Sequence, residues 1–274
     1  MNTFFVQKRR QHFLITVIED LEELKPTLQK VLETKLNGKT LTEKKVFLKP
    51  NLGYPKPAPY TTSIPLMKEV VKLFSIIGVK QIIIGEGSTS KSSSLENYRR
   101  TGMQEALEGY NVKFIDLGNK ESTPVTIGET THFLPKVLLE TNFRISLPVI
   151  KLYNDDKGKP FISNAVKNFF GLPPKDKYKS QENSHLRDRL HENFHQSLVE
   201  IYFAVKKFAP FDLYICDGLQ IFDGITKKEV TIDWGKIIIS DDAIEADLKV
   251  LELLHKPVPE FLRKLSKKRE ISNN

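Results

Sequence analysis

Residues Lys44 to Gly85 read KKVFLKPNLGYPKPAPYTTSIPLMKEVVKLFSIIGVKQIIIG, and the fold follows from how this stretch divides. KKVFLK is a short apolar strand ending at Lys49. After a proline-rich loop, helical spacing begins behind Ser63, a residue type that caps helix starts, and stops at Gly78. KQIIIG is then a second apolar strand. Strand, loop, helix and strand in that order make one β-loop-α-β unit.

Outward from it the alternation continues. On the N-terminal side, Leu21, Leu24, Leu28, Val31 and Leu32 recur at helical spacing. On the C-terminal side come a polar loop (GEGSTSKSSS), a helix around LENYRRTGMQEALEG and the strand NVKFIDL. Irregular alternation over 118–135 suggests a small β-rich excursion. FRISLPVI is another apolar strand, and a long helix is expected from Leu186 to Phe208 on a stripe that includes Leu190, Phe194 and Leu198. The strands FDLYICD and GKIIISD follow, then the helix DDAIEADLKVLELLH and a basic terminal helix, with no internal repeat. Alternating elements of this kind imply an α/β fold with a mostly parallel central sheet and helices on both faces. A single domain over 1–274 is the expectation.

The chain has 274 residues, of which 39% are hydrophobic and 28% charged, a globular composition able to bury a sheet. No apolar run approaches the roughly 20 residues of a membrane span, and the N-terminal basic cluster follows the first apolar residues, the wrong order for a secretory signal. A soluble cytoplasmic protein without membrane association is expected. One cysteine, Cys216, excludes an internal disulfide and a cysteine-ligated iron–sulfur cluster supplied by this chain. It lies in FDLYIC, where a packed thiol is expected rather than a nucleophile. The net charge is +8, and the clusters Lys8, Arg9, Arg10 and Lys264, Lys267, Lys268, Arg269 read as solvated faces or tails. Between Lys151 and His191 nine Lys or Arg face five Asp or Glu, an imbalance that would steer an anion there.

In open α/β sheets ligands bind beyond the carboxyl ends of the strands. Polar residues that follow the expected strands are Lys49 and Asn51, then Gly85, Glu86, Gly87 and Ser88, then Lys151, Asp217 and Asp241. Parallel strands would bring them to one edge. GEGSTSKSSS offers small residues whose amides can approach a phosphate or carboxylate, but it lacks G-x-G-x-x-G and the P-loop pattern. His191 to His195 match H-E-x-x-H on the expected long helix, with Glu192 as the base of a zinc site. Its polar surroundings and missing third ligand argue against a metalloprotease. A divalent metal held by His185, His191 and Asp241 is the metal reading that remains.

Several short matches fall in order: LKPN at Leu48 to Asn51, IGEGS at Ile84 to Ser88, Gly102-Met103, ISLPVIK ending at Lys151, AVKNFFGLPP at Ala165 to Pro174, ICDG at Ile215 to Gly218 and SDDAIEAD at Ser240 to Asp247. The series resembles the domain of unknown function 362 family over about residues 45–255, leaving basic N- and C-terminal extensions outside it. The resemblance implies a shared α/β fold and a shared polar site, and no particular reaction. Members often carry a ferredoxin-like cysteine-rich segment, which one cysteine cannot supply. Where the family pattern has threonine and histidine soon after lysine, this sequence has Lys151-Leu152-Tyr153-Asn154, so no histidine role carries over.

In SNAVKNFFGLPPKDKY, Ser163 to Tyr178, a lysine and an asparagine stand among apolar neighbours before Gly171, Pro173 and Pro174. A buried ammonium must pair, reach solvent or face a ligand. The expectation is that Lys49, Lys151 and Lys167 bind a small anion and that Asn51 and Asn168 orient it. Lys167 and Asp217 are the candidate catalytic pair, and Asp241 the alternative base or metal ligand. Two other readings compete with an anion-binding enzyme: a nucleic-acid-binding protein, suggested by a pI near 9.3, and a partner subunit of an iron–sulfur or redox protein.

Overall fold

The computed structural model describes residues 2–8, 11–89, 91–154, 158–180, 187–225 and 230–272. It begins with an antiparallel hairpin of β1 (Asn2–Lys8) and β2 (Gln11–Ile18). The expected first helix is α1 (Leu24–Leu36), which buries Leu24, Leu28, Val31 and Leu32. The stretch that decides the fold becomes β3 (Lys45–Pro50), α2 (Ile64–Ile77) and β4 (Gln81–Glu86). Ser63 and Gly78 bound α2 as expected, with Gly78 at φ 77°, a left-handed conformation that glycine adopts without a Cβ penalty.

Downstream, the helix expected around residues 95–109 is split at left-handed Gly102 into α3 (Ser94–Arg100) and α4 (Met103–Ala106). Next comes β5 (Val112–Asp116). The excursion is a two-stranded antiparallel sheet of β6 (Ser122–Ile127) and β7 (Thr130–Pro135). Pro148, which lacks a backbone donor, divides FRISLPVI into β8 (Phe143–Leu147) and β9 (Val149–Asn154). An antiparallel return, β10 (Pro160–Ser163), leads into α5 (Ala165–Asn168), a 3-10 turn (Phe169–Gly171) and α6 (Lys175–Tyr178).

The expected long helix is two helices, α7 (Asp188–Glu192) and α8 (Phe194–Phe208). Asn193, at φ −129° and ψ 61°, breaks it, so His191 and His195 do not share one helical face. The break lets Phe194 pack on Phe161 and Phe170 while Leu190 stays buried. The chain closes with β11 (Leu213–Asp223), β12 (Val230–Ser240), α9 (Ala243–Leu253) and α10 (Glu260–Ser272).

One sheet runs in the order β1-β2-β12-β11-β8-β3-β4-β5, with β9 joined to β11 and to β10. From β11 to β5 every neighbouring pair is parallel. Both faces are covered, so successive residues of one strand enter opposite apolar layers. Val46, Leu48, Ile82 and Ile84 pack with α1 and α2, and Phe47 and Ile83 pack with the layer containing α8, α9 and α10. From β3 the chain builds outward through β4 and β5, then returns to lay β8 and β11 on the other side of β3. That reversal makes the carboxyl ends of β3, β4 and β8 a topological switch point, where a crevice is expected.

The basic C-terminal run is not wholly solvated. Arg269 bonds Asp242 at 2.7 Å and Glu245 at 2.5 Å, so α10 is fastened to the start of α9 with all three side chains buried. Arg9 and Arg10 lie outside the described residues. Among the described residues no helix is long and apolar enough to cross a membrane.

Candidate functional site

A cavity of about 520 Å³ opens at the switch point. Its floor is a buried ion pair. Lys49, on β3, donates to Glu86 Oε1 at 2.9 Å, to the Pro50 carbonyl at 3.2 Å and to Asn168 Oδ1 at 3.3 Å. Glu86, ending β4, also accepts from the backbone of Gly87 at 2.8 Å and Leu52 at 2.9 Å. Asn168 completes the link by donating to the Lys49 carbonyl at 3.1 Å and the Ser146 hydroxyl at 2.9 Å. The last two strand ends of the β3-β4 pair and the α5 segment are thereby locked together. Gly171 fits against this floor only because it lacks a side chain: a Cβ there would lie 2.0 Å from Glu86 Oε1.

The walls carry three more cations. Lys151 is 4% exposed, and its one hydrogen bond, at 3.4 Å, goes to the neutral amide oxygen of Asn51. The Lys167 ammonium makes no hydrogen bond to a described residue, and it sits over the rings of Phe170 at 5.0 Å and Phe194 at 5.4 Å. Among the described residues Arg187 donates only to the carbonyls of Pro173, Gly87 and Ser88, and its Nη2 is buried without a partner. Among the described residues none of the three is ion-paired with a carboxylate. Burial, then the neighbouring Lys167 charge, brings Lys151 down to about 7. Burial, then Arg187, brings Lys167 to about 8, and burial brings Arg187 to about 10. Burial likewise lowers Lys49, against the pull of Glu86.

The mount of Lys167 is itself buried chemistry. Asp247 of α9 accepts from the backbone N–H of Ala165 at 2.8 Å and Val166 at 3.3 Å, fixing the first turn of α5. Burial raises this carboxyl to about 7.

Of the residues expected from the sequence, Asn51, Glu86, Gly87, Lys151, Lys167, Asn168 and His191 line the cavity, with Lys49 beneath them. Gly85 lies in the core, where a Cβ would meet Phe47 at 2.7 Å. Ser88 is buried, its hydroxyl donating to the Gly53 carbonyl. Asp217 is not at a strand end, because β11 continues to Asp223. Its carboxylate, 1% exposed, accepts from Ser63 N at 2.7 Å and Leu219 N at 3.3 Å and does not line the cavity, so it secures the loop before α2 rather than facing a ligand. Asp241 is at the wrong edge: β12 runs antiparallel to β11, so its end points away from the crevice, toward Leu14 and Lys35.

His185 lies outside the described residues, and His191 stacks on Phe194. The structure therefore does not bring His191 and Asp241 together. Among the described residues no group of three or more His, Cys, Asp or Glu has metal-site geometry. Cys216 is buried, accepts from Asn164 Nδ2 at 3.2 Å, and has its thiol pKa pushed up by burial. Arg187 was not singled out by the sequence. It follows a polar stretch with no motif, and only the fold brings it against Gly87.

The polar groups that meet in the crevice come from the LKPN, IGEGS, ISLPVIK and AVKNFFGLPP segments, and a family model, domain of unknown function (DUF362), matches residues 46–252. The chain belongs to the DUF362 family. Solved structures similar in fold to this DUF362 protein include two from thermophilic bacteria. One is the lactate racemase apoprotein from Thermoanaerobacterium thermosaccharolyticum, with TM-score 0.51 and 12% identity, covering 92% of this chain and 62% of that one. The other is a protein from Thermotoga maritima, with TM-score 0.50 and 13% identity, covering 85% and 58%. The chain thus spans about three fifths of the length of these two structures. No curated protein matches the DUF362 chain in sequence.

Proposed function

We propose that the switch-point cavity binds a small anionic molecule. The observation that carries this reading is that three buried or partly buried cations, Lys151, Lys167 and Arg187, converge on one cavity with no carboxylate partner among the described residues. Burying an unpaired charge costs several kcal/mol, so such groups persist where something else compensates them, and an anion does so for all three at once. The Glu86 charge acts on all three, but its oxygens are already held by Lys49, Leu52 and Gly87, and Asp188 on the cavity wall accepts from Ser180 and is ion-paired with none of them among the described residues.

In this arrangement Lys167 supplies the principal charge and Asn51 orients Lys151. Asn168 positions the floor instead of touching the ligand, because its amide is committed to Lys49 and Ser146. A carboxylate or phosphate of metabolite size fits the cavity volume. The fold-level likeness to a lactate racemase, a protein named for a small carboxylate, is compatible with this class. Cations gathered in a concavity favour it over nucleic acid, which calls for an extended basic surface.

The test is a thermal-shift screen of carboxylates and phosphates on wild type and on Lys167→Met. Stabilisation by at least one anion that disappears in Lys167→Met supports the reading. Equal responses in both proteins contradict it.

A further inference from the structure

We propose that Lys151 is an amine nucleophile that forms an imine with the carbonyl carbon of a small oxo acid whose anionic group is seated against Lys167. The inference rests on the anion-binding reading above and assigns the chemistry of that ligand.

Two buried lysines of the same site show the contrast. Lys49 is a structural cation: three acceptors lie within 3.3 Å of its Nζ, one of them a carboxylate. Lys151 has one long contact to a neutral oxygen, and its amine faces the cavity. A lysine desolvated beside another cation is the arrangement that keeps an amine neutral and nucleophilic at neutral pH. Its value near 7 agrees. An unperturbed lysine is neutral at pH 7 in only roughly one molecule in 2,500.

The mount is rigid. Lys151 sits inside β9, with Ser163 of β10 opposite it on one side and Phe222 of β11 on the other. Ser163 lines the same cavity, and its hydroxyl bonds no described residue, so it is available to pass a proton. Asn51 Oδ1 takes one N–H of Lys151 and leaves the lone pair to the cavity. Lys167 lies near enough for its charge to act on Lys151.

The step balances without an external oxidant or metal. The neutral Lys151 amine adds its electron pair to the carbonyl carbon, forming the C–N bond, and the carbonyl π pair moves to oxygen. That oxygen takes a proton while nitrogen loses one, giving a carbinolamine. A further proton on the hydroxyl lets it depart as water, and the nitrogen lone pair closes the C=N bond. The sum is amine, carbonyl and one proton giving a protonated imine and water. The iminium so formed withdraws electrons from the adjacent carbon, which is what an imine contributes to bond-breaking at that position.

The experiment uses the full chain with two probes, glyoxylate, which has an aldehyde carbonyl beside its carboxylate, and glycolate, which has a hydroxyl there instead. Glycolate binding is measured by calorimetry. Glyoxylate is added with cyanoborohydride, and the reduced adduct is mapped by peptide mass spectrometry between pH 5.5 and 9. The expected result is saturable modification at Lys151, favoured over surface lysines on the order of a hundredfold at pH 7, with a rate that rises through pH 7. Glycolate should compete with it. Lys151→Arg, which cannot form the imine, should lose the adduct. Adducts spread over surface lysines with none favoured at Lys151, alongside normal glycolate binding, overturn the imine and leave the anion site standing. Absence of both glycolate binding and selective modification overturns both. Mapping on wild type decides the matter even if Lys151→Arg fails to fold.

Discussion

Among the described residues two places bury an arginine, and they are built in opposite ways. At the C-terminal clasp Arg269 meets Asp242 and Glu245, while Asp242 also accepts from Ile244 N and Glu245 N at the start of α9. Burial works against the charge there, yet the two carboxylates more than offset it, and Arg269 is held above its ordinary pKa. At the cavity Arg187 is more enclosed and among the described residues donates only to carbonyls, and burial lowers it to about 10. The clasp is closed within the chain. Among the described residues the cavity wall is not, and an incomplete set of charges in a concave site is what a binding partner completes.

The largest expected effect lies at the clasp. Arg269→Met should cost about 3–5 kcal/mol of stability, since it removes the guanidinium that two buried carboxylates share. Chemical denaturation measures this, and an unchanged midpoint would mean that the clasp contributes nothing. The anion response should survive in this variant. Next is Gly171→Ala, where a methyl group is driven into Glu86; overpacking of this kind costs about 1–3 kcal/mol. It should also weaken ligand binding, because it displaces the floor, whereas wild-type affinity in this variant would detach the floor from the site.

A third prediction concerns pH. With Lys151 near 7 when folded and near its ordinary value when unfolded, the unfolded chain binds more protons from about pH 7 to 10.5. The Lys151 contribution is therefore unfavourable below pH 7 and is relieved as pH rises through that window, with a slope of at most about 1.4 kcal/mol per pH unit. Lys151→Met should remove this slope from a series of denaturation curves. A slope identical to wild type would show that Lys151 is charged in the folded protein. Anion binding should be accompanied by proton uptake in the same window, which calorimetry in buffers of different ionisation enthalpy measures.

The smallest stability effect is expected at Lys167. Lys167→Met removes a cation that has no carboxylate partner among the described residues, so the midpoint should move by less than about 1 kcal/mol or rise. Loss of several kcal/mol would recast Lys167 as half of a structural pair. Placed beside Arg269→Met, this variant separates the two kinds of buried cation: one change removes stability, the other removes binding.

Most of the fold was legible because its strands are buried on both faces and so appear as unbroken apolar runs, as KVFL and QIII do. The helix ends at Ser63 and Gly78 were equally plain. Breaks inside helices were not: nothing in HENFH announces that Asn193 leaves helical geometry, since the cause is the packing of Phe194 against Phe161 and Phe170. The strand-end rule brought Asn51 and Glu86 to the cavity because β3 and β4 are parallel, whereas Lys151 lines it from inside β9. It failed for Asp241 because a neighbouring strand's direction cannot be read from a short apolar run, and for Asp217 because β11 extends well past it. Arg187 was missed since its role depends on Gly87 and Pro173, which are distant in the sequence. Lys167, a charge set among apolar residues in the sequence, lines the cavity.

The most direct test of the account is a crystal soaked in selenate, an anion that mimics sulfate and phosphate and is located by anomalous scattering. The account predicts a strong anomalous peak in the cavity, in contact with the Lys167 and Lys151 ammonium groups and absent from crystals of Lys167→Met. Selenate bound only at surface lysines, with the cavity empty in well-diffracting wild-type crystals, would contradict it.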